Sequence, residues 1–155
     1  MAELLGNTAI EAAAIEWVMK LERAAGRDPR DTRFAGAPAD ILSPPRVIEV
    51  KVFGKPNRGY DLWLEPRQMG EARSNPKFFI YVVENVRQGD PALFTLRVPG
   101  GARLLALLER AKEQHYFTVP WPVAHYDSCP NRTRRMTSFA MSVQTRQFHL
   151  AKRRP

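Results

Sequence analysis

The run Lys77-Phe-Phe-Ile-Tyr-Val-Val-Glu-Asn-Val86 constrains the fold more than any other stretch of the chain. Its apolar residues are consecutive instead of alternating, the pattern of a strand covered on both faces. Such a strand needs helices, or a second sheet, on either side. Residues 8 to 25 supply one helix: Ile10, Ala14, Trp17, Val18, Leu21 and Ala25 fall at helical spacing, Gly26 stands at the stop, and Thr8 and Glu11 have capping-box spacing. Ala102–Gln114 reads as another helix after Gly100-Gly101, and Pro66 opens a short one running to about Ser74. Ala39–Ser43, Arg46–Phe53, Tyr60–Glu65 and Phe94–Val98 read as extended. Pro44-Pro45 and the turn-rich Gly54–Gly59 mark two of the connections, and Arg27–Pro38 holds at most a short strand near Arg33 and Phe34. The order predicts one α/β domain with a mixed sheet flanked by helices. Met136–His149 alternates weakly, as a late hairpin or a tail.

Composition sets the partner class. The chain has 155 residues, 44% apolar and 26% charged, with a formal charge of +8. That is the balance of a globular protein and excludes collagen-like, disordered and disulfide-scaffold classes. From Ser128 onward there are seven basic residues and no acidic one, so residues 1–127 are close to neutral. The expected organisation is a domain over 1–127 with a basic extension over 128–155. A basic end points to a polyanion, nucleic acid before membrane. The single cysteine, Cys129, excludes an intramolecular disulfide and suits a reducing compartment. Neither a signal-peptide pattern nor an apolar run of membrane-spanning length is present, so a soluble cytoplasmic protein is expected.

The chemistry-bearing stretch is Ala39-Asp-Ile-Leu-Ser-Pro-Pro-Arg-Val-Ile-Glu-Val-Lys51. Folding it about the two prolines pairs Ser43 with Arg46, Leu42 with Val47, Ile41 with Ile48 and Asp40 with Glu49. Two carboxylates so placed repel each other within apolar strands, and the arrangement is costly without a positive charge between them. Lys51, on the same face as Glu49, supplies one charge, and a hard divalent cation such as Mg²⁺ would supply two. Glu-x-Lys alone is common on the wet face of a sheet; the mirrored Asp40 distinguishes this instance.

Asp40-Ile41, followed a short hairpin later by Ile48-Glu-Val-Lys51, resembles the PD-(D/E)XK nucleases, with Ala39 in place of the usual proline. The longer pattern, with an N-terminal helix bearing Glu11 and Glu65-Pro-Arg-Gln68-Met-Gly-Glu-Ala72 leading into Phe79–Val86, is similar to the domain at the C-terminus of the plant protein NO VEIN. There, Gln68 stands where a glutamate is usual. The resemblance spans about residues 6 to 110 and implies a restriction-endonuclease-like fold with an αβββαβ core. It also implies Mg²⁺, with Mn²⁺ as substitute, held by Asp40, Glu49 and the Val50 carbonyl. Lys51 would then position or activate water. Glu11 is the preferred helix glutamate over Glu16, its other reading being the capping box; Gln68 either steadies Lys51 or a phosphate, or is an ordinary first-turn residue.

The implied activity is metal-dependent hydrolysis of DNA. An RNA nuclease, and a silent module binding nucleic acid or protein, remain alternatives. A homodimer or a protein partner docking on the C-terminal half also fits. Arg132, Arg134 and Arg135 are candidate phosphate contacts or a solvated tail. Trp63, Trp121 and Tyr126 are expected in core or edge packing, with base stacking as the other role. His115, His125, His149 and Cys129 lack zinc spacing, and no nucleophile elbow or phosphate-binding loop occurs.

Overall fold

The computed structural model describes residues 6–115 and 117–130. The chain divides after Lys112 into two compact units, Met1–Lys112 and Glu113–Pro155. The first opens with α1 (Asn7–Ala24), followed by β1 (Arg30–Asp31), β2 (Ile41–Ser43), β3 (Arg46–Val52), α2 (Pro66–Ser74) and β4 (Phe78–Glu84). Two single-turn 3₁₀ segments, Val86–Gln88 and Pro91–Leu93, then lead to β5 (Thr95–Arg97) and α3 (Gly101–Leu108). Within the second unit, α4 (Val123–Ser128) is described, with Trp121 and Tyr126 in an edge-to-face pair 6.4 Å apart.

The five strands form one mixed sheet in the order β1-β2-β3-β4-β5, antiparallel throughout except for the parallel pair β3–β4. A parallel pair needs a crossover connection, and α2 lies within it. The expected α/β class and the αβββαβ order are both present. Val47, Glu49 and Lys51 alternate with Ile48, Val50 and Val52, so β3 serves two separate cores. On one face α1 brings Ile10, Ala14, Ile15 and Val18 against Ile41, Ile48, Val50, Tyr81 and Val83. On the other, Ala72 of α2 and Leu104 and Leu108 of α3 cover Phe78, Ile80 and Val82. Six of the seven β4 residues are buried, which accounts for its unbroken apolar run.

Several local expectations are corrected. Tyr60–Glu65 forms no strand. Leu62 and Leu64 pack against the α2–α3 core without a ladder partner, while Tyr60 and Trp63 face outward. The early strand sits at Arg30–Asp31, ahead of Arg33, where its residues pair with Leu42 and Ile41. The cap of α1 is Gly6, with no side-chain bond, so the Thr8–Glu11 box does not form. The buried stripe of α1 runs Ile10, Ala14, Ile15, Val18, Glu22, leaving Leu21 partly exposed. Helix α3 ends at Leu108, not near Gln114. Trp63, Trp121 and Tyr126 are all more than 60% exposed and belong to no core.

Candidate active site

The Pro44-Pro45 turn sets the register of the β2–β3 hairpin. Ser43 pairs with Arg46, Leu42 with Val47 and Ile41 with Ile48. Asp40, one residue beyond β2, therefore stands across from Glu49. Its Oδ2 accepts the backbone N–H of Val50 at 2.8 Å. Along a strand a residue's N–H and C=O share one edge, so the Val50 carbonyl is directed to the edge where Asp40 sits.

Glu49 is 3% exposed. Its Oε1 accepts a hydrogen bond from Lys51 Nζ at 2.7 Å and another from Gln68 Nε2 at 2.8 Å. Gln68 reaches the strand because it is the third residue of α2, and its Oε1 also accepts the Glu65 backbone N–H at 2.9 Å, closing a capping box. One side chain thus closes the helix cap and holds Glu49, while Lys51 Nζ lies 3.5 Å from its Oε1. Glu49 Oε2 is buried and has no hydrogen-bond partner.

Burial drives the electrostatics. It pushes the Glu49 carboxyl up to about 7, with the charge of Asp40 adding to the rise and the Lys51 ammonium opposing it. The Asp40 carboxyl is raised by the same desolvation, against the pull of the Val50 amide and Lys51. Two acids that resist ionisation beside a lysine are poised for a further positive charge. Among the described residues no third His, Cys, Asp or Glu closes on them.

Glu11 lies outside this cluster. Its carboxylate pairs with Arg33 at 2.9 Å, and Arg33 also holds Asp31 at 2.7 Å. The charges of Glu11 and Arg33 nevertheless both act on Asp40, in opposite directions. Glu16 faces away, in an exposed pair with Lys20. Arg132, Arg134 and Arg135 lie outside the described residues.

A second polar cluster escaped the sequence reading. Glu22 is 2% exposed, and accepts hydrogen bonds from Arg27, from Ser43 Oγ at 2.8 Å and from Tyr81 Oη at 2.6 Å. Arg46 donates to the same tyrosine oxygen and stacks over Phe79 at 4.6 Å. Burial would raise the Glu22 carboxyl, but its donors outweigh that and hold it at about 2. The network ties α1 to β2, β3 and β4 on the face opposite Glu49. Its signal was present: position 22 continues the Ile15–Val18 stripe, where an acid has to find partners.

The family described as "Protein NO VEIN, C-terminal" matches residues 10–96, which include Glu11, Asp40, Glu49, Lys51 and Gln68. No curated protein and no solved structure matches the chain. With nearly all of its α1-to-β5 frame and the Asp40–Glu49–Lys51–Gln68 cluster inside one family match longer than half the sequence, the chain belongs to the NO VEIN C-terminal family.

Proposed function

We propose that the chain is a metal-dependent endonuclease of the PD-(D/E)XK, restriction-endonuclease-like kind, hydrolysing DNA phosphodiester bonds. One observation carries the reading: Glu49 opposes Asp40 with Oε1 clamped by Lys51 and Gln68, while Oε2 is buried and bonded to nothing. A purely structural carboxylate at that depth would have both oxygens satisfied. The donor set suits a hard cation. Mg²⁺ commonly takes one or two carboxylates and completes its shell with water and substrate phosphate, so two acids and the Val50 carbonyl suffice.

Asp40 and Glu49 would hold the ion, which when bound neutralises phosphate charge and acidifies water. The remaining work belongs to the chain's own groups. Lys51 keeps Glu49 oriented and offers its other ammonium protons toward the attacking water or the phosphate oxygens. Gln68 fixes the Glu49 side chain from the opposite direction. The Val50 N–H anchors Asp40, so its free oxygen has a defined aim. Burial keeps this cluster in a medium where each charge acts strongly.

A silent binding module is favoured by one fact, the direct Lys51–Glu49 pair, which partly neutralises the site without any ion. Cleavage decides between the two. The protein is incubated with linear, circular and single-stranded DNA, with Mg²⁺ and with chelator. Metal-dependent cleavage that Asp40→Ala and Lys51→Ala each abolish supports the nuclease. Inert DNA under every condition leaves the binding module. Parallel incubation with RNA tests the alternative substrate.

A further inference from the structure

Beside Lys51 the sheet carries a groove that neither the motif nor the family match assigns. Val82 is the register partner of Lys51 across the β3–β4 ladder, and it forms part of the floor of a cleft of about 830 Å³. The segment Asn57–Leu62 forms one wall, and β5 with the first turn of α3 forms the other. Three arginines line it, Arg58 from the first wall and Arg97 and Arg103 from the second. Tyr60, three-quarters exposed, stands at the same wall as Arg58.

The groove has an internal brace. Glu84, at its floor, is 4% exposed. Its Oε1 accepts the Asn57 backbone N–H at 2.7 Å, while its Oε2 accepts Thr95 Oγ1 at 3.1 Å and Arg97 Nε at 3.4 Å. One carboxylate therefore spans both walls and fixes the base of the Arg97 fork. Both its oxygens are engaged, and the Arg97 guanidinium offsets its charge. Among the described residues Arg58 and Arg103 have no carboxylate partner. Three cations around one engaged acid leave the cleft net positive.

We infer that this cleft binds the phosphates of a single-stranded nucleic-acid segment adjoining the bond at Lys51, with Arg58, Arg97 and Arg103 as the phosphate contacts and Tyr60 as a stacking surface. The inference rests on the nuclease reading for its placement. Duplex recognition puts a protruding helix or ribbon into a DNA groove. Here the protein surface is concave, of the size of a small-molecule pocket, cation-lined and flanked by an aromatic ring, which is the single-strand mode. The Lys51–Val82 ladder pair sets the cleft beside the proposed active site.

The test is binding of a fluorescent twelve-nucleotide single strand to the full chain by anisotropy, in chelator, so that binding is read without cleavage. The triple variant Arg58→Gln/Arg97→Gln/Arg103→Gln should weaken binding roughly tenfold or more at moderate salt and reduce the logarithmic salt slope by about 2, at ~0.7 per contact. Tyr60→Leu should weaken binding several-fold with the salt slope unchanged, because stacking releases no counterions. A triple variant that binds with wild-type affinity and slope overturns the groove assignment. Wild-type protein that binds no single strand overturns it as well. Duplex cleavage in Mn²⁺, measured on the same preparation, separates either failure from failure of the nuclease reading.

Discussion

Asp40 Oδ2 lies 2.8 Å from the Val50 backbone nitrogen, occupying the place the Ala39 carbonyl would take if β2 ran two pairs further. The ladder is thus completed by a side chain. The aspartate is held by the strand whose next side chains, Glu49 and Lys51, it has to meet. Its second oxygen is left for another ligand.

Metal should stabilise the folded protein. An ion that binds only the native state adds about 2.7 kcal/mol at a hundredfold excess over its dissociation constant. For a chain of this length that is a melting shift of roughly 8 °C. Asp40→Asn should abolish most of the Mn²⁺ shift. In chelator it should melt slightly above wild type, because a half-buried charge beside Glu49 has gone and the amide oxygen still accepts Val50 N–H. A melting titration of both proteins checks this; an equal Mn²⁺ response in the variant places the ion elsewhere.

Lys51→Ala and Gln68→Ala should differ in kind. Loss of Lys51 should lower the cleavage rate by about 10²–10⁴, the range for a positioned proton-transfer or charge-stabilising group. Loss of Gln68 should cost about 10–100-fold, mainly as weaker metal affinity, because it acts by orienting Glu49. Raising Mn²⁺ should rescue Gln68→Ala and not Lys51→Ala. Rescue of both, or of neither, contradicts the division of roles.

Acid and base should destabilise the metal-free protein through different residues. Glu22 has a folded pKa of about 2, below its ordinary 4.5, so its contribution is full above pH 4.5 and is lost as pH falls toward 2. Glu49 has the opposite sign: raised to about 7, it favours folding below pH 4.5 and that advantage disappears as pH rises through 7. Each swing is on the order of 3 kcal/mol. Urea titrations in chelator at pH 2.5, 4.5 and 8 should give the highest stability at the middle value. Glu49→Gln should flatten the alkaline limb alone.

Two glycines make an internal control for packing. A Cβ at Gly100 would fall 2.2 Å from Phe79 Cδ1 and 2.4 Å from Cε1, so Gly100→Ala should cost on the order of 2 kcal/mol. Gly70, inside α2, has nothing within 4 Å of its virtual Cβ, and Gly70→Ala should stabilise by about 1 kcal/mol. Denaturant midpoints of the two variants should move in opposite directions.

The hairpin was legible because two adjacent prolines fix a turn centre, and a fixed centre fixes every pair around it, Asp40 with Glu49 included. Helix α2, expected from Pro66 to about Ser74, was legible because a proline in a first turn is a local signal, whereas the Glu65–Gln68 capping box that closes it was not read. Tyr60–Glu65 misled because alternating apolar residues report which side chains are buried, not whether the backbone finds a ladder. Glu22 was missed because its partners Ser43 and Tyr81 lie 21 and 59 positions away. The pairing of Glu11 with Arg33 was hidden for the same reason: a loop folded back over α1 brings in a cation that no helical spacing announces.

Gln68 closes the first turn of α2 and grips Glu49 with the same amide. Fraying of that helix end should consequently loosen the acid cluster as well. A ligand held by the cluster should also slow amide exchange in the opening turn of α2, so that a reporter on the helix would read the occupancy of the strand.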